Sequence, residues 1–141
     1  MSHKRVIVDT GPLVAFLNKN DKHHDWAKTQ FSLISPPLIS CESVISEVCF
    51  LLRNFTNGAQ NVLELIEREL IILPFDLQSE STSIKQLLDK YKNVPMSLAD
   101  ACLVRLSEQL SESVIFTLDG DFKIYKKNNR NIIPLITYTA I

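Results

Sequence analysis

Glycine is scarce in this sequence, at three residues of 141, and with 45% apolar and 22% charged content this excludes collagen-like repeats and disorder. Cysteine is scarce too. Cys41, Cys49 and Cys102 are odd in number, widely spaced and without a C-x-x-C pair, which argues against a disulfide framework or a zinc ribbon and for a reducing compartment. No apolar run approaches the roughly 18 residues of a membrane span. The opening MSHKR leads into a strand with no apolar signal region, so a cytoplasmic protein without a membrane partner is expected. An excess of either charge is also missing. At net −1 there is no basic field to draw in nucleic acid, and such a partner must be held by local patches or bound cations.

What is present reads as one domain over residues 1–141, long enough to bury a core. Arg5 to Val8 is a buried strand, and Pro12 to Leu17 the helix after it, capped by Asp9 or Thr10. Helices follow at Asp25 to Leu33, Ser43 to Asn54, Gln60 to Glu69, Asp76 or Ser79 to Tyr91, and Ser97 to Leu110. Strands are expected at Leu38 to Ser40, Leu70 to Phe75, Val114 to Leu118 and Ile132 to Ile136, with a short helix at Phe122 to Lys127. This alternation predicts an α/β fold, a parallel sheet covered by helices on both faces, whose ligands gather beyond the carboxyl ends of the strands.

Four acids stand out. Asp9 ends the first strand and Asp119 follows VIFTL, so both point to the same sheet edge. Glu47 falls beside the apolar stripe Val44, Ile45, Val48, Leu51, Leu52, at the margin of the core. Asp100 projects among Ala99, Leu103, Val104 and Ser107, where an unpaired carboxylate is costly. Each has an innocent explanation: an N-cap at Asp9, a turn at Asp119, a solvated helix acid at Glu47, and at Asp100 a capping box folding back onto the Ser97 amide. All four must hold at once for no site to exist. Gathered carboxylates repel one another unless a divalent cation neutralises them, and an all-oxygen set favours Mg²⁺ or Mn²⁺ over zinc. Such a cation can activate water against a phosphodiester.

These segments resemble the PIN-domain ribonucleases, and within them the VapC-like toxins of toxin–antitoxin pairs. VIVDTGPLVAFLNKND resembles the opening strand with its first acid, SVISEVCFLL carries the second, MSLADACLVRL the third and IFTLDGDF the fourth, in family order and over nearly the whole chain. The resemblance implies a three-layer α/β/α sandwich on a central parallel sheet of four to five strands, and Mg²⁺- or Mn²⁺-dependent endonucleolytic cleavage of RNA. It implies Asp9, Glu47, Asp100 and Asp119 as catalytic metal ligands, Asp121 as an auxiliary acid, and Thr10 and Thr117 as supporting residues. A small antitoxin and a homodimer come with it.

Lys123, Lys126, Lys127 and Arg130 lie just past Asp119 and could contact RNA phosphates, although a run like KIYKKNNR is more often a solvated face. His23 and His24 lack a spaced third ligand and read as a surface helix start, and Trp26 and Phe31 as core or dimer packing. A phosphoacceptor reading of Asp76 fails because PLITYTAI offers no lysine after the last strand. A D-x-D-G-T phosphatase fails because DTGPL has no second aspartate two residues on. The remaining alternative is a PIN-fold module that binds RNA or protein without cutting.

Overall fold

A computed structural model describes residues 4–139; the first three residues of MSHKR lie outside the described residues. Arg5–Val8 (β1), with its β-branched run Val6, Ile7 and Val8, buries Ile7 and Val8 completely and pairs in parallel with Ser113–Phe116 (β4), Val6 opposite Val114 and Val8 opposite Phe116. On its other side β1 pairs with Leu38–Ile39 (β2), which pairs with Ile71–Ile72 (β3). Beyond β4 lies Leu135–Ile136, and the sheet is five parallel strands in which that last strand closes the β4 edge and β3 the other.

Helices flank this sheet. Thr10–Leu17 (α1) follows β1 without a loop and tolerates Pro12 because its missing N–H falls in the first turn. His24–Leu33 (α2) follows, then Glu42–Leu51 (α3), Gly58–Glu67 (α4), Leu77–Lys90 (α5) and Leu98–Gln109 (α6). Asp76 caps α5 by accepting from Gln78 N, and Ser97 caps α6 by accepting from Asp100 N at 3.0 Å. α6 lies against β1 and β4 and packs on α3 and α5. Trp26 and Phe31, both half-buried, set their rings 5.5 and 5.1 Å from that of Phe116 and so pack against the core of this chain.

The sequence expectations fail after Asp119. The helix expected over Phe122 to Lys127 is a single 3-10 turn, Gly120–Lys123, followed by Lys126–Lys127 (β5), which pairs antiparallel with Asn131–Ile132 (β6). Asn128 and Asn129 both adopt left-handed backbone, at φ 53° and 66°, the geometry of a tight hairpin turn whose twist matches its strands. The strand expected over Ile132 to Ile136 is therefore split: its start belongs to the hairpin, and only Leu135–Ile136 (β7) joins the main sheet. Near Pro74 the expected strand shrinks to Ile71–Ile72, since proline has no N–H to donate to a ladder.

Candidate metal centre

The strand order reverses between β1 and β4. The chain moves outward from β1 through β2 to β3, then returns to place β4 on the opposite side of β1. A crevice forms outside the carboxyl ends of such a pair, and here those ends carry Asp9 and the segment from Thr117 to Asp121. Asp9 N donates to Phe116 O at 2.9 Å, which carries the ladder one residue past β1 and fixes where its side chain emerges.

Asp9 is buried, and both its oxygens accept hydrogen bonds: Oδ1 from Thr10 N at 2.7 Å, Oδ2 from the Thr117 hydroxyl at 2.7 Å. The same Thr117 oxygen accepts from Asp119 N at 2.9 Å, so one buried hydroxyl joins the ends of both strands. Burial pushes the Asp9 carboxyl up to about 6 against these hydrogen bonds, and the negative charges of Asp100 and Asp119 add to the rise.

α6 brings in Asp100 from its first turn, where it is also buried. The expected capping box is present in one direction: Ser97 Oγ accepts from the Asp100 amide, while the Asp100 carboxylate takes its hydrogen bond elsewhere, at Oδ2, from the Tyr125 hydroxyl at 2.8 Å. Burial raises Asp100 above the usual carboxylate range. The Tyr125 hydrogen bond offsets part of that, and Asp119 and Asp121 push it further up.

Asp100, exposed Asp119 and half-buried Asp121 each offer a carboxylate oxygen within 4.8 Å of the other two. Asp119 Oδ1 accepts from Asp121 N at 2.9 Å, which fixes the turn carrying both. Asp9 is not in this trio but is electrostatically coupled to two of its members. Glu47 is exposed on α3 and is not drawn into the trio, because it lies on the outer side of the stripe whose inner members are Val44, Ile45 and Val48.

Thr10 Oγ1 is buried beside Asp9 with no hydrogen-bond partner, an unsatisfied oxygen at the rim of the acidic group. The donors are hard oxygens throughout, with no histidine or thiol in the trio, which fits Mg²⁺ or Mn²⁺. His24 Nδ1 instead meets Ala15 O at 2.8 Å, and the His23 ring packs 4.7 Å from Tyr138. Of the basic residues, Lys126 and Lys127 lie half-buried in β5, Arg130 is exposed beyond the turn, and Lys123 is exposed at the end of the 3-10 turn. The hairpin is pinned by Lys90 Nζ donating to Asn129 Oδ1 at 3.1 Å, Asn128 N donating to Glu108 Oε2 at 2.6 Å, and Lys126 N donating to the Tyr91 hydroxyl at 2.9 Å. Sequence reasoning did not pick out Tyr125, because its hydroxyl partner is set by the tertiary fold.

Residues 6–128 match the sequence model of the PIN domain. The crystal structure of the Mycobacterium tuberculosis VapC20 toxin, which cleaves the sarcin-ricin loop, superposes with a TM-score of 0.76 at 20% identity, covering 92% of this chain and 99% of that one. At that identity the likeness is one of fold. The chain matches no curated protein sequence.

Proposed function

Because this chain belongs to the PIN-domain family, we propose that its acidic edge makes it a metal-dependent endoribonuclease, the toxin of a toxin–antitoxin pair. The observation that carries the reading is the meeting of Asp100, Asp119 and Asp121 within 4.8 Å at the point where the strand order reverses. Asp9 stands beside them on the neighbouring strand end. A fold gains nothing from burying mutually repelling carboxylates unless a cation offsets them.

Asp9, Asp100, Asp119 and Asp121 would hold Mg²⁺ or Mn²⁺, while Glu47 stays outside the trio, exposed on α3. The ion, when bound, supplies a Lewis acid that activates water and neutralises charge on the phosphodiester during in-line attack. The protein's part is placement. Thr117 holds Asp9 and the Asp119 backbone in fixed relation, and Thr10 keeps a buried hydroxyl without a partner beside Asp9. Lys123, Lys126, Lys127 and Arg130 take RNA phosphates on the side of Asp119, which lets a protein of net charge −1 hold a polyanion.

In this reading the protein works in the cytoplasm, as a homodimer restrained by a small antitoxin that covers the acidic edge. No helix among the described residues is long and apolar enough to cross a membrane. The test is incubation with single-stranded RNA in Mn²⁺, Mg²⁺ or chelator. Internal cleavage is expected only with metal, and Asp9→Asn and Asp100→Asn should abolish it while circular dichroism shows the fold retained. RNA bound without products at any metal concentration would identify a non-cutting binding module instead.

A further inference from the structure

Tyr125 joins two members of the acidic trio. Its backbone N–H donates to the Asp121 carbonyl at 3.2 Å, and its hydroxyl donates to Asp100 Oδ2 at 2.8 Å. The turn that delivers Asp121 thus ends in the side chain that holds Asp100, which arrives from a different helix. The ring itself is held rigidly: Tyr125 is completely buried, with Phe122 and Tyr91 edge-on to it at centroid distances of 5.2 and 5.0 Å.

We propose that Tyr125 is a positioning residue of the metal centre, orienting the Asp100 carboxylate toward the ion shared with Asp119 and Asp121. This rests on the metal-dependent reading above. A ring needed only for packing could be phenylalanine, as it is at position 122, and a hydroxyl needing only satisfaction could meet a backbone carbonyl. Here the hydroxyl goes to a buried carboxylate that has an oxygen within 4.8 Å of those of Asp119 and Asp121. Carboxylates that ligate metals are ordinarily held by such outer hydrogen bonds, and losing one weakens the metal rather than the fold alone.

Tyr91 provides the control, because its hydroxyl accepts one hydrogen bond, from Lys126 N, without touching an acid. Tyr125→Phe and Tyr91→Phe each keep the ring and lose one hydrogen bond, so their melting temperatures in chelator should fall comparably. In calorimetric titration with MnCl₂, Tyr125→Phe should bind about tenfold more weakly than wild type and Tyr91→Phe equally well. The Mn²⁺ concentration needed for half-maximal RNA cleavage should move with the affinity. In an Asp100→Asn background, Tyr125→Phe should cause no further loss of Mn²⁺ affinity.

The unaltered protein offers a second measurement: Mg²⁺ should perturb its tyrosine absorbance along the binding curve, a change absent in Tyr125→Phe. Unchanged Mn²⁺ affinity in Tyr125→Phe beside a wild type that binds, or losses that simply add in the double variant, overturns the assignment alone. Absence of Mn²⁺ binding by the wild type overturns it together with the metal-dependent reading.

Discussion

The Thr117 hydroxyl donates to Asp9 Oδ2 at 2.7 Å across 108 residues of sequence. Because the same oxygen accepts from Asp119 N, the contact sets the spacing between the two strand-end acids. Thr117→Val keeps the shape and β-branching but removes both hydrogen bonds. It should reduce metal-dependent RNA cleavage by about 10- to 100-fold, the usual cost of losing a hydrogen bond to a metal ligand. Thr117→Ser should recover most of that rate. Initial rates at a fixed Mn²⁺ concentration decide it, and a valine variant as active as wild type would leave Thr117 a packing residue.

Asp9 also gives the metal-free protein a particular pH dependence. Its carboxyl, raised to about 6 by burial, keeps a proton in the folded state that the unfolded chain releases near 3.8. Between those values the folded state binds more protons, so stability falls as pH rises from about 4 to about 6 and then levels off. At about 1.4 kcal/mol per unit the full cost is about 3 kcal/mol. Urea denaturation in chelator should therefore show wild type losing stability relative to Asp9→Asn across that window. Adding Mg²⁺ at pH 7 should restore it, since the ion binds the ionised folded form. A pH-independent difference between the two proteins would contradict this account of Asp9.

Away from the acids, the packing of α4 against the end of α3 depends on an absent side chain. A Cβ on Gly58 would lie 2.1 Å from the Leu52 carbonyl oxygen, a backbone atom that cannot swing aside. Asn57 before it already sits in the left-handed region at φ 56°. Gly58→Ala must push the helices apart and should cost about 1–3 kcal/mol, seen as a melting temperature several degrees lower. Mn²⁺ affinity should be unchanged, because neither helix end carries a member of the trio.

How much of this was legible in the sequence varied along the chain, for physical reasons. β1 and β4 were readable because a strand buried on both faces leaves an unbroken apolar run, as in VIV and VIF, although β4 runs over Ser113–Phe116 rather than Val114 to Leu118, and α6 because Ser97 and Asp100 mark its start. The parallel sheet followed from the alternation of elements. The hairpin is hidden in the sequence because KIYKKNNRNII contains no glycine, and its turn instead puts two asparagines at positive φ. Helical periodicity set Glu47 beside the apolar stripe without saying on which side of its margin solvent begins, and the fold leaves it exposed. Tyr125 looked like any aromatic residue, since only the fold brings its hydroxyl to Asp100.

Because the hairpin is a fixed structure, the basic residues it carries make a sharper prediction than their sequence did. Held by Lys90, Glu108 and Tyr91, it keeps Lys126, Lys127 and Arg130 in defined positions just beyond the turn bearing Asp119 and Asp121. If these three side chains each neutralise a phosphate, each should contribute about 0.7 to the slope of log affinity against log salt for single-stranded RNA. The triple alanine variant should therefore bind RNA more weakly and lower that slope by about 2, with Mn²⁺ affinity unchanged. Binding measured on the cleavage-dead Asp100→Asn background, between low and moderate salt, gives the slope directly. The same slope with and without the three charges would mean that the hairpin faces solvent, and that RNA approaches the acids from another side.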